Sequence, residues 1–110
     1  MAQSATNGFT VHETATRLKL GSDGVWRCHY HGTQIASLNN NNTILHLNTG
    51  GCNTQTTRRR MNQFASELNL PFHVFQRNGE ILFSTRGTKE VAFDQRIAVD
   101  LVSGTILVIG

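Results

Sequence analysis

The chain has 110 residues, of which 38% are hydrophobic and 15% charged, a composition that excludes a disordered protein and predicts a single domain over residues 1–110. Its net charge of +3 favours an acidic partner without requiring one. No apolar run approaches the roughly 18 residues of a membrane-spanning helix, and residues 1–8, which we expect to be frayed, lack the features of a signal peptide. We therefore expect a cytoplasmic protein without membrane contact.

Alternating apolar residues predict strands in the first half of the chain. The predicted strands are 9–20, 25–31, 33–38 and 43–49. Two turns are expected at Gly21–Gly24 and at Asn39–Asn42, because glycine and asparagine accept turn conformations at little cost. Gly32 is interpreted as a bulge or kink, after which the strand continues.

The alternation in residues 25–31 separates two strand faces. The face that we expect in the core carries Trp26, Cys28 and Tyr30. The opposite face carries Arg27, His29 and His31.

One convincing helix follows, and we predict that it spans residues 55–68. Its apolar stripe has the spacing i, i+3, i+4 and i+7 from Met61, and Thr57 extends it backwards. Asn69 is a suitable C-cap residue because asparagine accepts the left-handed conformation. At about 100° per residue, Arg58 and Asn62 fall on one flank of the stripe, Arg60 falls on the other, and Arg59 points into solvent.

The second half of the chain is again strand-rich. The predicted strands are 72–76, 81–85, 90–93, 96–102 and 105–109. Asn78-Gly79 between the first two is a strong hairpin signal. The apolar strand 105–109 suits either a buried central strand or an edge that pairs between subunits, and we expect a homodimer. The fold class is α+β, mostly antiparallel sheet, with a single central helix packed on it.

Nothing in the sequence predicts a catalytic constellation, a cofactor or a metal site. His29 and His31 share a strand face, but no acidic residue or cysteine stands at a companion spacing. Cys28 and Cys52 are expected to be free structural thiols. Phe75, which shares a strand face with His73 and Arg77, is the best candidate for stacking on a base.

Four segments resemble a recurring group of small bacteriophage-encoded proteins, mostly without an assigned function. They are Tyr30-His31-Gly32-Thr33, Leu47-Asn48-Thr49-Gly50-Gly51, Thr56-Thr57-Arg58-Arg59-Arg60-Met61-Asn62 and Phe75-Gln76-Arg77-Asn78-Gly79-Glu80. The resemblance covers roughly residues 30–84, and the chain departs from it at Cys52, where the group usually has tryptophan. It implies a phage protein in the host cytoplasm that binds a host protein, a nucleic acid or a nucleotide signal of host defence.

The segment from Gly50 to Asn62 is the best candidate for a binding site. It holds three arginines and a cluster of hydroxyl and amide side chains at the start of the predicted helix, where unpaired N–H groups and the helix dipole favour an anion. Arginine also suits bidentate contact with phosphate. An ordinary loop followed by a solvated basic helix face would produce the same pattern.

The sequence therefore predicts a non-enzymatic protein that holds a phosphate-bearing ligand, either a nucleotide or a nucleic-acid backbone. One alternative is an inhibitor that presents its arginines to a host nucleic-acid enzyme. Another is a histidine-dependent phosphodiesterase, whose His-x-Thr unit occurs once, at His31-Gly32-Thr33. The expected ligand-binding residues are Gly50, Gly51, Asn53, Thr54, Thr56, Thr57, Arg58, Arg60 and Asn62, with His31, His46 and Asn48 lining the approach.

Overall fold

A computed structural model describes residues 16–51, 54–85 and 90–110. This part of the chain contains one helix and nine strands. The strands are β1 (Thr16–Leu20), β2 (Trp26–Tyr30), β3 (Thr33–Leu38), β4 (Ile44–Asn48), β5 (Phe72–Arg77), β6 (Glu80–Thr85), β7 (Val91–Phe93), β8 (Arg96–Asp100) and β9 (Thr105–Ile109). The helix α1 (Gln55–Leu68) has the predicted bounds. The predicted strand residues 9–15 lie outside the described part.

The strands form two antiparallel sheets. Six of them make the larger sheet, in the order β1-β2-β3-β4-β8-β9, and three make the smaller, in the order β5-β6-β7. The helix packs mainly on β5 and also contacts β2 and β3, so it joins the two sheets around one core. The predicted α+β class, mostly antiparallel sheet with a single helix, is confirmed.

The core contains the predicted apolar faces. Met61 and Phe64 of α1 are fully buried against Leu45, Leu47 and Phe83. Trp26 and Tyr30 are partly buried and pack on this core, as the alternation of β2 predicts. No helix in the described ranges is both long enough and apolar enough to span a membrane.

Helix α1 begins and ends where the local chemistry predicts. The Thr54 hydroxyl accepts a hydrogen bond from the Thr57 N–H at 3.1 Å, which makes Thr54 the N-cap. Asn69 adopts the left-handed conformation, with φ 58° and ψ 48°, and its N–H bonds to the carbonyls of Ala65 and Ser66. Pro71 follows two residues later, and proline cannot continue a helix.

The interpretation of Gly32 as a bulge or kink within a continuing strand is wrong. His31 and Gly32 both have positive φ, 51° and 79°, and form a two-residue turn that reverses the chain, so Tyr30 pairs with Thr33. His31 therefore lies in this turn and not on the strand face of Arg27 and His29. The register shift of this pair lies earlier, between Cys28 and His29.

Strand β9 is an edge of the larger sheet and not a buried central strand. Leu107, Val108 and Ile109 are 49%, 42% and 53% exposed. The alternative of an edge strand was therefore right, whereas pairing between subunits stays a prediction. Strand β8 ends at Asp100, two residues before its predicted end, because the Asp100 carboxylate accepts hydrogen bonds from the N–H groups of Val102 and Ser103 in the following turn.

Candidate functional site

The predicted threonines at the start of α1 are engaged in building the helix. The hydroxyls of Thr54 and Thr57 are 3.0 Å apart, and Thr57 is only 2% exposed. Thr56 is half-buried. The Thr54 and Thr57 hydroxyls therefore stabilise the first turn, whereas the backbone N–H groups of that turn still give this end of the helix a positive partial charge.

The glycine loop before α1 packs on the turn between β2 and β3. Gly50 and Gly51 have positive φ, 66° and 84°, and a Cβ atom at Gly50 would lie 2.7 Å from the Thr33 methyl group. The Asn48 side chain accepts a hydrogen bond from the Gly50 N–H at 2.7 Å. Gly50 is thus required both by its conformation and by the close approach of Thr33. Asn53 lies outside the described residues.

The two arginines assigned to the site lie on opposite flanks of α1, as the helical spacing predicts. Arg60 is 7% exposed, lies over the ring of Tyr30 at 5.9 Å, and donates a hydrogen bond to the Gln63 side chain at 3.0 Å. Arg58 donates to the Gln76 side chain of β5 at 3.1 Å. Arg58 and Arg60 therefore belong to different surroundings.

The flank that carries Arg58 forms one wall of an open groove of about 670 Å³ between α1 and β5. We call it the α1–β5 groove. Its lining residues are Gln55, Arg58, Arg59, Asn62, Gln63, Ser66, Val74 and Gln76. None of them is acidic and only Val74 is apolar, so the groove combines two guanidinium groups with amide and hydroxyl groups.

Asn62 closes the floor of the groove by fastening α1 to the edge strand β5. Its side chain accepts a hydrogen bond from the Val74 N–H at 2.8 Å and donates one to the Val74 carbonyl at 2.7 Å. Both backbone groups point away from β6, because Val74 belongs to a non-hydrogen-bonded pair of that hairpin. Asn62 thus replaces a neighbouring strand at this position.

Arg59 differs from the paired arginines of the protein. Arg27 is bonded to Asp23 at 2.7 Å and Arg77 to Glu90 at 2.6 Å. The Arg27 guanidinium lowers the pKa of Asp23 to about 2, and the Arg77 guanidinium lowers the pKa of Glu90 below its usual value. Arg59 is exposed at the rim of the groove, and within the described ranges no side chain forms an ion pair or hydrogen bond with it.

A family model matches residues 1–104, nearly the whole chain. The chain belongs to the Kyanoviridae Gp96 protein family. Kyanoviridae are phages, so the expected bacteriophage origin is confirmed. No curated protein and no solved structure matches the chain.

Three of the segments that resemble phage proteins meet at one end of this Gp96-family fold. The ring of Tyr30 lies 4.4 Å from the ring of His31 and 5.9 Å from the guanidinium of Arg60. Thr33 contacts Gly50. These motif residues therefore hold the β2–β3 turn, the glycine loop and α1 together, away from the α1–β5 groove.

The remaining predicted residues of the Gp96-family protein lie on another surface. His46 and Asn48 project from the face of the larger sheet that points away from the core, since Leu45 and Leu47, which alternate with them along β4, are buried. His31 is in the β2–β3 turn.

In the described part of the chain no three His, Cys, Asp or Glu side chains are close enough to hold a metal ion.

The predicted stacking strand has the expected side-chain arrangement. The rings of His73 and Phe75 stack at 5.6 Å, and the Arg77 guanidinium lies 5.4 Å from the Phe75 ring. These side chains occupy the face of β5 opposite to buried Val74, so they lie outside the α1–β5 groove.

Sequence reasoning missed five residues that line the α1–β5 groove: Gln55, Arg59, Gln63, Ser66 and Gln76. Gln55, Arg59 and Ser66 stand three or four residues from Arg58 or Asn62, and Gln63 stands four from Arg59, so the polar flank of the helix was a usable signal. Gln76 depends on which edge of the smaller sheet contacts the helix, and no local pattern indicates that.

Proposed function

We propose that this Gp96-family protein is a non-enzymatic binding protein whose α1–β5 groove holds a phosphate-bearing ligand. The observation that carries the proposal is the exposed guanidinium of Arg59 beside Arg58 in a groove without acidic side chains. Guanidinium groups bind phosphate oxygens through two parallel hydrogen bonds. The first turn of α1 adds the positive end of the helix dipole at Gln55.

The size and polarity of the groove favour a nucleotide or a short stretch of nucleic-acid backbone. Its volume of about 670 Å³ lies within the range of small-molecule sites, roughly 300–1,000 Å³. The amides of Gln55, Gln63 and Gln76 supply donors and acceptors for a sugar or a base. A phage protein that sequesters a nucleotide signal in this way would counter host defence.

The test is a binding measurement on the full chain with fluorescent probes: a labelled cyclic dinucleotide, labelled AMP and a labelled single-stranded oligonucleotide. We expect Arg58→Gln with Arg59→Gln to weaken binding of the preferred probe at least tenfold, because the charge-assisted contacts with phosphate are lost. Arg96→Gln removes one charge from a different surface and should leave the affinity unchanged. Equal affinity of the double variant and the unaltered protein would refute the site.

Salt dependence and product analysis separate the ligand classes. A nucleic-acid backbone requires a steep fall in affinity with salt: for a single strand, the logarithm of the binding constant falls by about 0.7 per neutralised phosphate for each tenfold increase in salt concentration. A mononucleotide or dinucleotide requires a shallow one. Chromatography of the recovered probe tests the histidine-dependent phosphodiesterase: an intact probe agrees with binding alone, whereas cleavage that disappears in His31→Ala contradicts the non-enzymatic proposal.

A further inference from the structure

The outward face of the larger sheet carries a second polar depression, across β3, β4 and β8. It has a volume of about 380 Å³ and is lined by Gln34, Ser37, His46, Leu47, Asn48 and Arg96. A smaller depression of about 110 Å³ shares His46 and Arg96 with it and continues to Ala98 and Val108. We call the combined surface the β4–β9 face.

The strand register explains why this surface is polar on one side and apolar on the other. Asn48 lies opposite Arg96, whereas His46 lies opposite Ala98, which in turn lies opposite Val108. Directly opposed residues share a sheet face. The row of Asn48 and Arg96 is therefore polar, whereas the neighbouring row changes from His46 to the aliphatic Ala98 and Val108 toward the edge of the sheet.

Arg96 is the cation of this surface. It is exposed, and no side chain in the described ranges forms an ion pair or a hydrogen bond with it. Gly110, directly after β9, bonds through its backbone to the Arg96 backbone, and a Cβ atom at Gly110 would lie 3.5 Å from both Cγ and Nε of Arg96. The absence of a side chain at Gly110 thus leaves the guanidinium open toward the edge of the sheet.

The aliphatic side of the surface is exposed at Val108. Val108, which shares this face with His46 and Ala98, is 42% exposed. No acidic side chain lines either depression. An anion and an aliphatic group on one molecule would therefore match the two halves of the surface.

We propose that the β4–β9 face docks an acidic segment of a partner protein, with a carboxylate on Arg96 and His46 and an aliphatic side chain on Val108. A single guanidinium matches one carboxylate, whereas a polyphosphate needs several cations. Apart from the imidazole of His46, the lining contains no aromatic ring for a base to stack on. This surface is separate from the α1–β5 groove, so the proposal stands or falls independently of the phosphate-binding function.

The test is a ¹H–¹⁵N correlation NMR titration of the full chain with the peptide Ac-Leu-Glu-Leu-Glu-Leu-NH₂. We expect saturable shift changes of the amides of His46, Arg96 and Val108. Arg96→Gln should weaken binding at least fivefold while the spectrum still shows a folded protein. Lys19→Gln removes an equal charge from the far end of the same sheet, and Arg58→Gln with Arg59→Gln removes the groove arginines; neither should change the titration.

Other outcomes would overturn the proposal. If the peptide with glutamine in place of glutamate binds equally well, the charge contact is wrong. Displacement of the peptide by inorganic phosphate or AMP at lower concentration would identify a phosphate site instead. Shift changes of His46 and Arg96 on concentrating the protein without peptide would show that a second copy covers this face, and no saturable change at all would show that the face does not dock such a segment.

Discussion

Asn62 lies in the groove, as predicted for a ligand-binding residue, but its side chain has a structural role. Its position beside Arg58 predicted a ligand contact, and it does line the α1–β5 groove. Both the nitrogen and the oxygen of its side-chain amide, however, are hydrogen-bonded to the Val74 backbone. Its contribution is therefore structural first, because an edge strand without a partner exposes backbone groups that need hydrogen bonds.

The environment of Cys28 makes its thiol much harder to ionise. It is fully buried, and burial raises the pKa of its thiol from 9.0 to about 12, although the nearby positive charge of Arg60 acts in the opposite direction. Such a thiol stays protonated and unreactive at neutral pH. This agrees with the interpretation of Cys28 as structural.

We predict that Cys28 resists iodoacetamide at pH 8.5 in the native protein and reacts in urea, as measured by mass spectrometry of its peptide. Because the pKa is raised in the folded state, the thiol stabilises the fold below pH 9 and this contribution is lost between pH 9 and about 12. Unfolding free energies at pH 8 and pH 10.5 should show the loss, and Cys28→Ser, which does not titrate there, should lack it. Rapid modification of the native protein would contradict the burial.

Among the elements, helix α1 depends on both sheets for its position. Its core face is buried between them, and its polar flank is tied to β5 through Asn62 and Arg58. The groove exists because the helix lies beside an edge strand and not over the middle of the smaller sheet. Loosening the contact between α1 and β5 should therefore affect both stability and binding.

We predict that Asn62→Ala destabilises the protein by about 1–3 kcal/mol, because it leaves the N–H and the carbonyl of Val74 without their side-chain partner. Asn62→Asp should also destabilise the protein, because an acceptor-only carboxylate oxygen would replace the amide N–H that donates to the Val74 carbonyl. The measurement is urea unfolding followed by circular dichroism. Ser66→Ala, on the same flank and without a side-chain bond to β5, is the control and should change stability by less than about 0.5 kcal/mol.

At the scale of the whole molecule, β9 leaves an apolar sheet edge exposed. Natural proteins usually protect such an edge with charges, proline or a covering segment, and β9 contains neither a charged residue nor proline. The pairing of β8 with β9 shifts its register between Ala98 and Val99, and the end of β9 is still apolar. These features are the reason for predicting a homodimer, which stays a prediction.

We predict that the protein is a dimer at micromolar concentration, as measured by light scattering after size-exclusion chromatography. Leu107→Lys with Ile109→Lys should give a monomer, because positively charged lysines of the two copies would repel each other across the symmetric edge. Leu20→Lys is the matched control, because Leu20 is 52% exposed on β1 at the opposite side of the sheet. A protein that is monomeric throughout the concentration range would contradict the prediction.

The sequence by itself determined the local features of this protein. The bounds of α1, the turns at Asn39–Asn42 and Asn78–Gly79, and the buried faces of β2 and β4 follow from capping, turn preference and side-chain alternation, which act over a few residues. The His31-Gly32 turn was misread because a glycine in a strand pattern is compatible with a bulge as well as with a turn. The phage origin also followed from motifs that are short and local.

Only the tertiary structure decided how these parts meet, because strand order and register depend on contacts between distant segments. It placed Arg58 and Asn62 in the α1–β5 groove together with Arg59, but it buried Arg60 on the opposite flank of the helix. It carried His46 to the outward face of the larger sheet, where Arg96 of β8 lies close by. The predicted site, the segment from Gly50 to Asn62 with His31, His46 and Asn48 along its approach, is thus divided among several surfaces, since a helix and a strand each turn neighbouring side chains in different directions.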